Sequence, residues 1–415
     1  MDRRVLFVTL ILFAGGATGV GVALFAFVGL DSGSVDTEIV WETDPVAGDD
    51  GSGAVIASLD GESVVVQSTV EDGERTVRAT TVGGDVAWRT PLSAADPDAP
   101  PGESIAISAF ASDTLGGDPV VAFTTESGSL VVLDAATGDR RFLVDIDPSE
   151  ETDGSDASDG FRPAMGDLTG DGRTEVAAVS RAGGVLVVDI EGDTVFGTAL
   201  GDPIDRRPLI VEPDDETPGG LAVATAGDGE YTLRLLDDRG DTRWTTTPAV
   251  TPLNWNVAET RRGAVLALGG TNGNVEAIEA GDGSQRYEVS LQDLPVAVGD
   301  AGPGQIHVGG AGSIWAVDLL DGESVWKQQY GGETRVNPPG VGNAATDGTE
   351  APAAVNRGGD VLVMSRTGEV VARGGVGSAV VYAGPLFADL TGDGSEAVVI
   401  VTEDGRVVAL ARYGS

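Results

Sequence analysis

The chain has 415 residues, 41% of them hydrophobic and 5% aromatic, with 62 glycines. That is enough material for two or three ordinary domains or one large all-β domain, and too much apolar content for wholesale disorder. It carries 66 acidic against 25 basic residues, a net charge of -41, so a nucleic-acid backbone would be repelled and nucleic-acid binding is not expected. Cysteine is absent and His307 is the single histidine. Disulfides, thiolate metal sites, cysteine nucleophiles and any constellation needing two histidines are therefore excluded.

In chain order, residues 1–4 form a short basic lead with Arg3 and Arg4, and residues 5–30 read VLFVTLILFAGGATGVGVALFAFVGL without a charge. An uncharged run of this length predicts one transmembrane helix. It is long for the core of a cleaved signal, and no good small-x-small cleavage site follows it; a cleaved export signal is the alternative reading, and either way the rest of the chain is expected to be exported. The arginines before it and the acidic DSGSVDTE after it place the N-terminus in the cytoplasm and the rest of the chain outside a cell membrane, as a single-pass anchor. Residues 31–36 read as a linker, and residues 37–415 as one repeat domain.

After residue 35 no helical periodicity is sustained. Short runs of Val, Ile, Leu, Ala and Thr are broken by Gly and Asp, which are strand and hairpin signals. Six segments open on a proline and reach a polar residue four or five positions later: Pro163 to Asp167, Pro208 to Glu212, Pro252 to Asn256, Pro295 to Asp300, Pro339 to Asn343 and Pro385 to Asp389. Successive prolines lie 45, 44, 43, 44 and 46 residues apart, a period that signals a β-propeller or similar array. Each unit continues with a second strand (EVAAVSR, GLAVATA, AVLALGG), a third (GVLVVDI, YTLRLLD, NVEAIEA) and an outer strand that often carries tryptophan (TRWTTTP, ESVWKQQ). Two earlier units, through SVVVQS to DVAWRTP and through PVVAFTT to LVVLDAATGDRRF, fit without the proline. The last unit stops at ARYGS with no outer strand, while TEIVWETDP near the front looks like the missing one. Pairing it there leaves no open edge at the seam. The expectation is an all-β, eight-bladed β-propeller closed by an N-terminal strand and preceded by one transmembrane helix.

AVDLLDGESVW resembles the quinoprotein (PQQ-like) repeat, in which A-x-D-x-x-x-G-x-x-x-W docks a tryptophan between neighbouring blades; VLDAATGDRRF matches with phenylalanine instead. GDLTGDGRTEVAAV resembles the FG-GAP or VCBS repeat of integrin-like propellers. The acidic composition, with Lys327 the only lysine, resembles proteins of salt-loving archaea. Such a surface suits molar salt, where screening removes most self-repulsion. A GC-rich genome explains the same codon usage equally well.

The string D-x-T-G-D-G occurs twice. Oxygen ligands at positions 1, 3 and 5, a glycine at 6 and a carboxylate further on suit a hard, oxygen-loving cation. The expected calcium ligands are Asp167, Thr169, Asp171, the Arg173 carbonyl and Glu175, and in the second loop Asp389, Thr391, Asp393, the Ser395 carbonyl and Glu396. The same residues also make good tight turns. Position 3 is Thr where the family more often has Asp or Asn, and the second loop is a residue shorter. NAATDGTE, residues 343–350, is a more degraded copy. Calcium, if bound, has a structural role, tying the innermost strand to the next.

Three functions stand against one another. The first is a non-catalytic, membrane-anchored extracellular module that binds a protein or glycan, or assists envelope assembly or adhesion. The second is a quinone-dependent dehydrogenase, which the resemblance implies with a stacked PQQ, a calcium and in many members a vicinal cysteine pair. The absence of cysteine speaks against that reading, and PQQ is not expected. The third is a carbohydrate-active propeller, for which no carboxylate pair stands out. Trp255 in PLNWNVAE is a packed aromatic or a pocket wall, and His307 in QIHVGG reads as a half-buried structural residue. No catalytic residue is expected. The partner face is expected on long loops at residues 93–104 and 147–160, which vary freely on a rigid scaffold.

Overall fold

The structure is a computed structural model. It describes residues 35–45, 54–59, 62–81, 83–98, 110–115, 118–125, 128–146, 161–227, 229–330, 334–344, 349–390 and 394–412. The expected membrane segment, residues 5–30, lies outside these. Among the described residues no helix is long and apolar enough to cross a membrane.

Nearly all the regular secondary structure described is strand, arranged as antiparallel four-strand units in chain order. The first unit pairs Ala54–Leu59, Glu62–Glu71, Glu74–Thr81 and Val86–Pro91. The second runs from Phe110–Leu115 to Arg140–Asp145 and the third from Ala164–Gly166 to Thr194–Ala199. The fourth spans Leu209–Val211 to Thr242–Thr246 and the fifth Pro252–Ala258 to Gln285–Ser290. The sixth spans Ala297–Gly302 to Ser324–Gln329. These six are separate sheets; a seventh sheet has eight strands. It joins the unit from Gly340–Gly342 to Val370–Gly375 with the three strands Leu386–Ala388, Ala397–Val401 and Val407–Arg412.

The joining strand is Val35–Glu42. It pairs antiparallel with Val407–Arg412, with Thr37 opposite Arg412 and Glu42 opposite Val408. It also touches Val370–Gly375 in parallel through Val35 and Asp36. The N-terminal strand therefore fills the outer place that the last unit lacks. Thr43 extends the seam: its N–H donates to the Val407 carbonyl and its hydroxyl accepts from the Val407 N–H. The first strands of consecutive units touch in sequence order, and Leu386–Ala388 touches Ala54–Leu59.

Packing explains the sequence pattern. Second strands such as Glu175–Val179 and third strands such as Gly184–Val188 are buried along their whole length. A strand covered on both faces reads as a continuous apolar run rather than an alternation. The hydrophobic clusters lie between units. One joins Val66 and Trp88 of the first to Phe123 and Leu133 of the second. Another joins Val399 and Ala409 of the last unit to Val65 of the first, with Trp41 and Ile56 packed against it. The single helix among the described residues, Leu92–Ala95, caps the first unit with two buried side chains.

Candidate functional site

The six polar residues that follow the repeat prolines sit at the ends of the inner strands or, for Asn256 and Asp300, within them, and several tie one unit to the next. The Asp167 N–H donates to Glu212 Oε1 (3.3 Å) and the Asn343 N–H to Glu396 Oε2 (2.6 Å). Asn256 donates from Nδ2 to the Gly299 carbonyl (3.1 Å) and to Asp300 Oδ1 (3.3 Å). Asp300 Oδ2 accepts from the Val341 N–H at 3.4 Å.

In the first expected calcium loop the carboxylates are already hydrogen-bonded within the loop. Asp167 accepts from the N–H groups of Gly170 (2.7 Å), Asp171 (3.1 Å) and Gly172 (2.9 Å), and Asp171 accepts from the Arg173 N–H (2.9 Å). Glu175 is buried and accepts from the N–H groups of Leu168 (2.8 Å) and Thr169 (3.2 Å), with the Thr169 hydroxyl at 3.4 Å. Burial raises the Glu175 carboxyl above its ordinary range, and the charges of Asp171 and Asp167 push the same way. The loop is thus closed as a turn by its own acids, and spare lone pairs remain on carboxylate oxygens that each accept one or two bonds. In the second loop Asp389 Oδ2 accepts from the Gly394 N–H at 2.9 Å, while Glu396 reaches Asn343 of the preceding unit. Thr391 and Asp393 lie outside the described residues, as does half of the degraded loop near Asn343; Ser395 is placed at the loop's end. Among the described residues no group of three or more His, Asp or Glu side chains is arranged to hold a metal ion.

A cavity of about 460 Å³ opens where the inner strands converge. Its wall includes Arg162, Arg207, Asn256, Asp300 and Tyr382. Arg162 and Arg207 occupy the same place in consecutive units, each preceding the repeat proline. Both are open to solvent yet ringed by protein. Burial lowers the pKa of Arg162, and Asp300 opposes it. Arg207 is brought down to about 10, by burial first and the Arg162 charge second. Both remain cationic at neutral pH. Burial also raises the Asp300 carboxyl, against the Val341 N–H and the two guanidiniums.

Trp255 borders this cavity but is 2% exposed, and its indole N–H donates to the Arg207 carbonyl at 2.9 Å. It packs in the core between two units, so it is no stacking platform. His307 is 3% exposed, more deeply placed than a half-buried residue. Its Nδ1 lies 3.1 Å from the Asp300 carbonyl, its ring leans on Trp326, and burial depresses its pKa to about 4. The two channel arginines escaped the sequence reading because the signal is one residue per unit, outside any motif. The repeat prolines mark the position once the units are aligned.

Residues 32–204 match the family model described as outer membrane protein assembly factor BamB. No curated protein matches the chain. Among solved structures, BamB from Moraxella catarrhalis is 18% identical with a TM-score of 0.57, covering 91% of this chain and 98% of that one. The C-terminal WD40 domain of Sif2 is 10% identical with a TM-score of 0.61, covering 92% and 97%. BBS1N, solved in complex with ARL6DN, is 13% identical with a TM-score of 0.51, covering 74% and 91%. At these identities the likeness speaks for the fold alone, a β-propeller, and the family match over residues 32–204 supports PQQ-like repeats there.

Proposed function

We propose that the chain is a non-catalytic scaffold that binds a protein partner during assembly at the cell envelope. The observation that carries this reading is the match of residues 32–204 to the assembly-factor model. The buried His307 and the packed Trp255 agree with it, since neither is placed to act as a base or to stack on a cofactor. In this reading the units form one eight-bladed ring. Residues 5–30 anchor it in the membrane by a single pass, and the ring lies outside the cell.

The partner face consists of the loops at 93–104 and 147–160. In-cell crosslinking of the tagged full chain is expected to capture one exported protein in fixed proportion. Replacing residues 148–159 with a Gly-Ser linker removes that partner and leaves the melting temperature unchanged. A chain that crosslinks to nothing in fixed proportion, or that takes up PQQ and oxidises an alcohol, contradicts the proposal.

Calcium, held by the two D-x-T-G-D-G loops in the manner of FG-GAP repeats, belongs to the same reading as a stabiliser. Burial raises the Glu175 pKa first and the Asp171 and Asp167 charges add to it; a bound cation would offset that added repulsion.

A further inference from the structure

The central cavity holds a charge arrangement opposite to that of the rest of the molecule. Arg206, on the same wall, is paired with a carboxylate: Nη1 lies 2.5 Å from Asp205 Oδ2, and Nη2 donates to the Pro252 carbonyl (2.5 Å) and the Tyr231 hydroxyl (3.5 Å). Arg207 donates only to the neutral Asn256 amide, at 3.2 Å. The Arg162 guanidinium has no hydrogen-bonded or ion-paired partner among the described residues. Among the described residues Asp300 is the one carboxylate on this wall, and it is bound to Asn256 and Val341 rather than to either arginine. Two guanidiniums so placed repel each other, and among the described residues neither has a carboxylate in ion-pair contact. Two like charges this close are relieved when an anion binds between them.

We propose that Arg162 and Arg207 form an oxyanion-binding site in the central cavity, which takes a small carboxylate or phosphate. Trp255 and Asn256 position Arg207, one at its carbonyl and one at its guanidinium. A guanidinium presents paired N–H donors that match two oxygens of one anion. The Tyr382 hydroxyl accepts from Arg335 at 2.6 Å, which leaves its proton to donate into the same space. The net charge of -41 turns away polyanionic macromolecules, and the cavity admits an anion of a few heavy atoms. Asp300 competes with that anion for the two cations. The site stands independently of the scaffold reading.

The test is calorimetric titration of the full chain with sodium succinate and, separately, inorganic phosphate, at constant ionic strength. Saturable binding is expected, weakened about tenfold or more by Arg162→Gln or Arg207→Gln and tightened about tenfold by Asp300→Asn. Arg239→Gln, on an exposed turn, is expected to change nothing. Circular dichroism of each variant separates lost binding from lost folding. Binding of only one of the two oxyanions supports the site and names its source chemistry. Absence of saturation with both, or equal weakening by Arg239→Gln and Arg207→Gln, overturns it, and so does weaker binding in a folded Asp300→Asn chain.

Discussion

Glu175 carries two demands at once: it closes a turn beneath the loop and sits near Asp167 and Asp171. Its carboxyl is raised by burial, so the folded state holds the proton more readily than the unfolded one. The ionised form costs stability at neutral pH, and that cost disappears as pH falls through the folded pKa. Glu175→Gln keeps an oxygen for the Leu168 and Thr169 N–H groups. Without divalent ions it is expected to melt at or above the wild type at pH 7; with calcium it loses whatever rise the wild type gains. Melting curves in chelator and in calcium check both arms. His307 has the opposite sign. Its folded pKa of about 4 lies below the ordinary 6.5, so the unfolded chain binds the extra proton and stability falls between those values as pH drops. The loss from this residue is at most about 3 kcal/mol. Urea midpoints between pH 7 and pH 4 should fall less steeply in His307→Gln than in the wild type. The buried state of His307 was half legible in QIHVGG, since the pattern marks a strand but not how much its neighbours cover.

At the scale of the strand and turn, one device recurs. An aromatic on the outer strand of a unit lies over the glycine of the last turn of the next. Trp88 covers Gly138, Phe142 covers Gly192, Phe196 covers Gly240, Trp244 covers Gly283, Tyr287 covers Gly322 and Trp326 covers Gly368. The indole N–H groups finish the joint, donating from Trp88 to Ala135 (2.7 Å), from Trp244 to Ala280 (2.8 Å) and from Trp326 to Arg366 (3.0 Å). Gly138 has φ of +75°, and a Cβ there would lie 2.5 Å from Trp88 Cε3. Gly138→Ala therefore combines backbone strain with overpacking and is expected to cost about 1–3 kcal/mol. Trp88→Ala is expected to cost about 3–5 kcal/mol, against almost nothing for Val325→Ala, whose side chain is exposed. Chemical denaturation of the three variants ranks them. The docking tryptophan was legible in AVDLLDGESVW because its spacing is fixed by the turn. The phenylalanine version was legible at Phe142 in VLDAATGDRRF, while Phe196 and Tyr287 were harder to see, since any large flat ring fills the same gap. Glu396 shows the limit of reading one loop alone: it bonds to Asn343 of the preceding unit, a contact set by packing between units rather than by local spacing.

For the whole molecule, the period of the prolines and the missing last strand made the repeat and its closure readable before any coordinates. The cavity was not readable, because a residue reaches it through the convergence of strands far apart in sequence. The acidic surface sets the conditions under which the ring holds. Screening shortens from about 10 Å at 0.1 M salt to about 3 Å at 1 M. The melting temperature is therefore expected to climb from 0.1 M to molar KCl, and a flat profile would remove the link to salt-loving proteins.

Closure rests on Val35–Glu42 pairing with Val407–Arg412 of the same chain, where Glu38 stands opposite Ala411. The cysteine-free sequence makes this directly measurable. Opposed residues in an antiparallel pair lie within disulfide reach. Glu38→Cys with Ala411→Cys, oxidised at low protein concentration, should give a crosslinked monomer in high yield, resolved by non-reducing electrophoresis. Failure to crosslink, or crosslinking only between separate chains, would contradict a ring closed by its own N-terminal strand.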